Sequence, residues 1–398
     1  MGRSTLEVAD IVRAHRGAFE AQRGGNLAPT ECRVLDAIVR CRTAALGGHL
    51  LRCDGCGHED ISYNSCRNRH CPKCQAAAKA EWLDAREAEL LPVQYFHVVF
   101  TLPKEVALVA LLNKKIVYDL LFQASAQTAR DVAANPKHLG AEIAILSVLH
   151  TWGQNLHHHP HVHCVIPGGG ITPDGKEWKH CRSGFFLPVK VLSRLFRGKF
   201  LAGLRAARNK GQLEFSHSIG ELEDDAVFNR WLSDLYRKNW VVYAKRPFGG
   251  PSHVLRYLAR YTHRTAISNH RLLSMSEGKV SFLWKDYAHG CKRKVMSLAG
   301  TEFLRRFLMH TLPKGFVRIR HYGFLANRHR VDKLGLSREL LESSSVPQDL
   351  PEPATVNAAV AIFPCSRCDG GTMQLVYRIE AREILRALQN LHHQTVPP

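Results

Sequence analysis

Apolar positions near the start of the chain recur at helical spacing: Val34, Leu35, Ile38 and Val39 share one face, with Thr30 placed to cap the helix and Gly47-Gly48 to end it. Residues 75–91, with Trp82, Leu83 and Leu90, read as a second helix closed by Pro92. The pattern then changes. Residues 95–102 (YFHVVFTL) form a β-branched and aromatic run, expected to be a buried strand. Helical patterns follow over residues 104–134 and 141–156, then a strand over 161–166 that stops at Pro167-Gly168-Gly169-Gly170, then mostly helix over 188–240. Residues 240–243, 280–284 and 316–319 are strand-like, while 252–262 and 301–310 read as helices. Residues 342–364, rich in Ser, Pro and Ala, mark a linker. There is no internal repeat, and the strands lie too far apart in sequence for simple hairpins. The expected architecture is α+β in three units: 1–91, 92–335 with a mostly helical insertion at 170–240, and a linker and tail over 336–398.

Composition narrows the function. The 398 residues are 45% hydrophobic and 23% charged, which excludes disorder as the main state. The apolar runs 106–112 and 143–149 are far short of the ~20 residues that span a bilayer. No apolar segment follows a basic start, so an intracellular protein without a signal peptide or membrane partner is expected. Lys+Arg number 55 against 35 Asp+Glu, a net charge of +20. The excess is local: residues 1–90 hold 13 against 12, but residues 245–330 hold 18 against 3, a net of +15. That stretch is interleaved with Tyr257, Tyr261, Trp284, Tyr287, Phe303 and Phe307. Cations mixed with aromatics over such a length point to a polyanion, DNA or RNA.

Twelve cysteines include Cys53-x2-Cys56-x14-Cys71-x2-Cys74, two knuckles at the spacing of a zinc ribbon. Four thiolates complete a closed tetrahedral shell, so the expected Zn²⁺ is structural. Cys66 and His70 lie between the pairs as alternates, and Cys41, His49 or His58 would serve a second ion. Cys365-x2-Cys368 is a lone knuckle, either half of a second ribbon with His392 and His393 or a pair of surface thiols. A disulfide framework is disfavoured in a reducing compartment.

His161-Val162-His163 in a strand presents both imidazoles on one face, a natural pair of ligands for Mg²⁺ or Mn²⁺. His150, 11 residues earlier, is the expected third ligand, with His159 and Gln154 as competitors. Tyr257 and Tyr261 stand four apart in the next helix, beside a row of Arg256, Arg260 and Arg264. Two phenols flanked by guanidinium groups suit attack on a phosphodiester. Taken singly, each pattern is better explained by an ordinary surface turn or core packing.

Their order in the chain removes that ambiguity. Residues 65–74 (SCRNRHCPKC), 96–103, His150-Thr151-Trp152-Gly153-Gln154-Asn155-Leu156, His159-Pro160-His161-Val162-His163 and 257–272 together resemble the HUH rolling-circle transposases of the insertion sequence 91 type. The segments 303–308 and 318–324 also fit. The resemblance implies an HUH-nuclease-like central antiparallel sheet with flanking helices, and a small N-terminal zinc-binding domain that helps recognise DNA ends. It implies His161 and His163 as metal ligands and Tyr257 and Tyr261 as nucleophiles that cut single-stranded DNA through a 5′-phosphotyrosine bond. The setting it implies is the bacterial cytoplasm, associated with the nucleoid. Single-stranded or hairpin DNA is expected in a basic groove of Arg256, Arg260, Arg264, Lys292, Arg293 and Lys294. A plasmid relaxase or replication initiator, and a non-catalytic zinc-dependent DNA-binding regulator, are the rival readings.

Overall fold

The computed structural model describes residues 6–245, 266–286, 292–343 and 363–383, with Ser252, Leu255, Arg256, Ala259 and Gly290 besides. The chain opens with α1 (Val8–Gln22), where Asp10 accepts the Glu7 backbone N–H at 2.9 Å and Val8, Ile11, Val12 and Phe19 are buried. The next helix, α2 (Pro29–Arg40), begins at proline, and Glu31 accepts the Ala28 N–H at 3.1 Å. The cap is therefore not Thr30. Proline suits the first helical position because its φ is preset and its missing N–H would have had no helical partner. A hairpin of β1 (Gly48–Cys53) and β2 (Glu59–Tyr63) follows, then α3 (Ala76–Glu87).

The centre of the molecule is a five-stranded antiparallel sheet in the order β12-β4-β5-β3-β8, formed by β3 (Tyr95–Thr101), β4 (Ala144–Trp152), β5 (His158–Pro167), β8 (Val242–Lys245) and β12 (Ile319–Gly323). β4 is where 141–156 was expected to be helical. Ala144–Thr151 is buried throughout, so the strand has covered faces on both sides and no alternation of polar and apolar positions to betray it. With β4 a strand, β4 and β5 form a hairpin after all.

One face of the sheet carries Phe96, Val98, Phe100, Ile145, Leu149, Val162, Cys164 and Ile166. It is covered by α4 (Ala107–Leu112), α5 (Lys114–Ala134), α6 (Val189–Asn209) and α7 (Asp225–Arg237), which supply Leu121, Phe122, Phe196, Phe200 and Phe228 to the same core. The short strands β6 (Gly169–Ile171) and β7 (Trp178–His180) pair between β5 and α6, so the insertion is helical from α6 onward. The opposite face begins with Tyr95, Ala144, Leu146, Val148 and Val165.

A second sheet, ordered β11-β10-β9, is built from β9 (Leu272–Ser276), β10 (Lys279–Asp286) and β11 (Lys292–Ala299). With the helix Gly300–Met309, it shares a core with α1 and α2 through Val280, Phe282, Phe303, Leu304, Ile11 and Leu35. The helices touch at Gly300, where an added Cβ would lie 2.2 Å from the His15 ring. The C-terminal segment is more than a tail: β13 (Met373–Ile379) pairs antiparallel with β1 from Gly48↔Ile379 to Cys53↔Met373. Strand pairing over so great a sequence separation leaves no local signal. No helix among the described residues is long and apolar enough to cross a membrane.

Phe100 is fully buried and packs edge-on against Phe196, with ring centroids 5.1 Å apart. Phe100→Ala should cost about 3–5 kcal/mol, read as a large fall in the urea midpoint; a change under about 1 kcal/mol would contradict this packing.

Candidate metal centre

Antiparallel register brings the predicted histidines together. His150 of β4 lies directly opposite His161 of β5, and His163 lies opposite Val148. Side chains two apart on a strand share a face, so all three rings emerge on the side that also carries Ala144, Leu146, Val148 and Val165. One ring nitrogen from each of His150, His161 and His163 lies within 4.8 Å of the others. The ring centroids are 5.4 Å apart for His150–His161, 4.1 Å for His150–His163 and 4.8 Å for His161–His163. His150 and His163 are buried and His161 is partly exposed, so the group opens at His161. His159 is exposed and is not part of the group, and Gln154 sits in the turn that follows β4.

The neighbours orient these rings. His161 donates Nδ1–H to the His159 carbonyl at 2.6 Å, which makes Nε2 its lone-pair nitrogen. His163 Nδ1 lies 2.7 Å from His97 Nε2, and the two rings stack at 5.0 Å. With Nδ1 as the donor in that pair, Nε2 of His163 carries the lone pair. Trp152 stacks on His150 at 5.1 Å. Burial holds His150 and His163 well below the ordinary imidazole range, His161 down to about 3 and His97 down to about 4. All four are therefore neutral at physiological pH, the state in which imidazole binds a metal. His97 was missed in the sequence; its only signal there was a histidine inside the otherwise apolar strand 95–102.

The cysteines assemble differently from the expected Cys53, Cys56, Cys71 and Cys74. Cys41, Cys66, Cys71 and Cys74 form one set with all four Sγ atoms within 4.8 Å, while Cys53 and Cys56 meet Cys365 and Cys368 in another. Cys53 and Cys56 sit at the tip of the β1–β2 hairpin. Cys41 precedes its base, and Cys66, Cys71 and Cys74 follow it. Five to six residues of strand separate tip from base by roughly 17–20 Å, so the two knuckles cannot share an ion. Cys66, the expected alternate, is a full member of the first set. In that set Cys66 and Cys74 Sγ are 3.6 Å apart, and Cys41 and Cys71 are buried in the core shared by α1, α2 and the second sheet. Thiol donation from Cys66 and Cys71 holds Cys74 far below the ordinary thiol range, so the set already favours a thiolate, the form that binds zinc.

Of the residues assigned to DNA, Arg256 is exposed and lies 3.2 Å from Glu87, an ion pair of small energetic weight. Lys294 pairs with Asp286 at 2.7 Å and lies over the Trp284 ring. Lys292 and Arg293 are exposed on the edge strand β11 and form no ion pair among the described residues. Tyr257, Tyr261, Arg260 and Arg264 lie outside the described residues.

A three-imidazole group on a five-stranded sheet thus stands in one chain with two four-cysteine sets, each a donor set that could hold a metal ion. Residues 11–102 match the family model described as "Transposase zinc-binding domain", and residues 144–333 the one described as "Putative transposase". The chain belongs to the insertion sequence 91-type transposase family and, as a transposase, acts on DNA. It is 55% identical over 358 residues to "Putative transposase y4qJ" of Sinorhizobium fredii (strain NBRC 101917 / NGR234), covering 90% of this chain and 88% of that protein. It is 26% identical over 310 residues to "Transposase for insertion sequence element IS801" of Pseudomonas savastanoi pv. phaseolicola, covering 76% of this chain and 72% of that one. No solved structure matches it significantly. The donor set of Cys41, Cys66, Cys71 and Cys74 fits the structural zinc of the matched domain.

His70 and His310 are also buried, with burial pressing both down to about 3. In the unfolded chain such rings take up protons below roughly pH 6.5. Their folded-state values are lowered, so stability is full above that pH and falls as pH drops toward the folded values, by up to about 1.4 kcal/mol per pH unit for each ring. The urea midpoint should fall steadily between pH 7 and pH 5. A midpoint flat across that range would show that these rings are not buried and neutral.

Proposed function

We propose that the chain cleaves and rejoins single-stranded DNA at the ends of its element, by tyrosine attack beside the three-histidine group. The observation that carries this reading concerns one sheet face. Leu255, a helical residue two positions before Tyr257, is buried in one cluster with Leu146, Val148 and Val165. Val148 and Val165 stand two residues along the same strand faces from His150 and His163. Leu255 therefore packs on the histidine-bearing side of the sheet.

In this reading Tyr257 and Tyr261 are the nucleophiles. A phenol oxygen bonds to the scissile phosphorus as the bond from phosphorus to the 3′ oxygen breaks; the phenol proton passes to solvent, and the departing oxygen takes up a proton to become a 3′-OH. The phosphate stays on the protein as a 5′-phosphotyrosine. Attack on it by a 3′-OH reverses the step, so joining needs no nucleotide cofactor. His150, His161 and His163 would hold a divalent ion, which when bound supplies Lewis-acid polarisation of the phosphate. Three nitrogen donors favour Mn²⁺ over Mg²⁺, which prefers oxygen ligands. His97 holds the His163 ring, and the exposed Lys292 and Arg293 carry part of the strand's phosphate path, continued by Arg256, Arg260, Arg264 and Lys294. Two tyrosines allow one strand to be held while another is cut, as one-strand, rolling-circle transfer requires.

The test is a denaturing gel of the protein incubated with labelled single-stranded element ends and Mn²⁺. A covalent adduct is expected from the wild type and none from the Tyr257→Phe, Tyr261→Phe double variant. His161→Ala should reduce the adduct roughly 100-fold or more while zinc content stays near normal. Wild-type protein that binds these ends without forming an adduct would instead support the non-catalytic regulator.

Removal of both Lys292 and Arg293 to alanine should weaken binding of any single-stranded sequence alike. The slope of log affinity against log salt should become shallower by about 0.7 for each phosphate that is no longer neutralised. An unchanged slope would remove β11 from the strand's path.

A further inference from the structure

The second cysteine set lies partly outside both matched regions: Cys53 and Cys56 fall within residues 11–102, whereas Cys365 and Cys368 lie beyond residue 333. Cys53 and Cys368 Sγ are 3.6 Å apart, and Cys56 and Cys365 Sγ 3.7 Å. A disulfide requires about 2.05 Å, so these sulfurs are not bonded to each other. A tetrahedron of thiolates at about 2.3 Å from a central zinc has edges of about 3.8 Å, close to the separations found.

The backbone is arranged to the same end. Cys53 Sγ accepts the backbone N–H groups of Gly55 at 3.4 Å and Cys56 at 3.5 Å, and Cys365 Sγ accepts that of Arg367 at 3.3 Å. Both knuckles thus turn backbone donors toward a sulfur, which stabilises the thiolate that a metal needs. Gly371 leaves room for the sulfurs: an added Cβ there would lie 2.5 Å from Cys53 Sγ and 2.7 Å from Cys368 Sγ. Asp54, between the first two cysteines, accepts the Thr372 backbone N–H at 2.8 Å and so sets the two segments side by side.

We propose that Cys53, Cys56, Cys365 and Cys368 hold a second structural zinc ion, which clasps the C-terminal segment to the N-terminal hairpin. Soft thiolates in a closed tetrahedral set select zinc among the common divalent ions. The clasp has work to do because β13 is poorly anchored by burial: Leu375, Val376 and Tyr377 are all exposed, and its contacts are chiefly the ladder to β1. The two zinc sites then differ in consequence. Cys41, Cys66, Cys71 and Cys74 are embedded in a core shared with α1, α2 and the second sheet, whereas the clasp is peripheral and secures a single strand.

Metal analysis of the full chain tests the proposal, carried out in the His161→Ala background so that the histidine group contributes no zinc. Two zinc ions per chain are expected there, and one when Cys365→Ser and Cys368→Ser are added. Cobalt substitution should give sulfur-to-metal charge-transfer absorption that halves in the same comparison. Tryptic cleavage after Arg378 should become at least tenfold faster in the serine variant, with far-UV circular dichroism little changed. One zinc per chain before the serine substitutions, the same metal content after them, or a disulfide among the four cysteines would each overturn the site. Loss of one zinc with unchanged cleavage at Arg378 would overturn the clasp. If the serine variant fails to fold, the cobalt spectrum of the Cys-intact chain decides: absorption for one tetrathiolate ion instead of two refutes the proposal.

Discussion

Three successive carbonyls in the turn between β4 and β5 are taken by donors from the C-terminal half of the chain. Arg271 donates to Gln154, Arg306 to Asn155 at 3.2 Å, and His310 Nε2 to Leu156 at 3.1 Å. Leu156 itself is buried with φ +64°, a conformation that costs a non-glycine residue about 1–3 kcal/mol and persists only where its surroundings impose it. Here they do, because the Leu156 side chain is held in the core of α1, α2 and the second sheet while its carbonyl is held by His310. His310 is neutral, and its other nitrogen lies 3.2 Å from the Thr151 hydroxyl, so the imidazole spans the turn as donor on one side and acceptor on the other. Pinning this turn sets the register of the hairpin. A slip of one residue would rotate every side chain of the slipped strand to the other face, parting His150 from His161 and His163.

The same turn explains why the cysteine module is not an independent bead. Cys41 and Cys71 share a buried cluster with Leu156, Phe282 and Phe303. The loop between Cys66 and Cys71 reaches further still: His70 Nε2 accepts the Leu312 N–H at 3.1 Å, and Arg69 Nη1 donates to the Phe316 carbonyl at 2.5 Å. These contacts lie on the segment that leads into β12, the sheet strand next to β4. An ion at the inner cysteine set therefore braces the central sheet from one end, through backbone atoms whose positions depend on the shape of the knuckle.

Much of this was legible in the sequence, but unevenly. Strand 95–102 was readable as a β-branched and aromatic run, and helix 301–310 buries Phe303, Leu304, Phe307 and Leu308 at helical spacing. β4 was not, since burial on both sides erases alternation and leaves an apolar run that reads equally as helix. The histidines were legible because ligand chemistry restricts residue type and strand geometry restricts spacing. The cysteine partners were not, because linear spacing describes a ribbon only when both knuckles lie at the same end of a hairpin. Cys53 and Cys71 lie at opposite ends, and the partners of Cys53 are supplied by a segment more than 300 positions away. His97 illustrates the third limit, a residue that meets the group only through its contact with His163 and has no spacing signature of its own.

The basic stretch that first pointed to DNA also divides once partners are known. Arg271 and Arg306 are committed to the turn carbonyls, and Arg306 is further bound to Glu302. Arg320 is paired with Asp119 and lies over the Phe122 ring at 4.3 Å, a partly buried cation engaged in packing. Arg318 is partly buried near Arg69, and desolvation followed by that neighbour lowers it to about 10. A guanidinium held to carbonyls and carboxylates adds to the local positive potential but is fixed in place, with fewer of its five donors free for a phosphate oxygen. Among the described residues, the cations of 245–330 are thus two populations: partly buried ones such as Arg271 and Arg306, which hold the hairpin and give a long-range attraction, and exposed ones, Lys292 and Arg293 among them, that are free for contact. Electrostatic steering depends on both, but the salt dependence of bound DNA depends only on the second. Net charge by segment therefore overcounts the residues that are free to touch a polyanion.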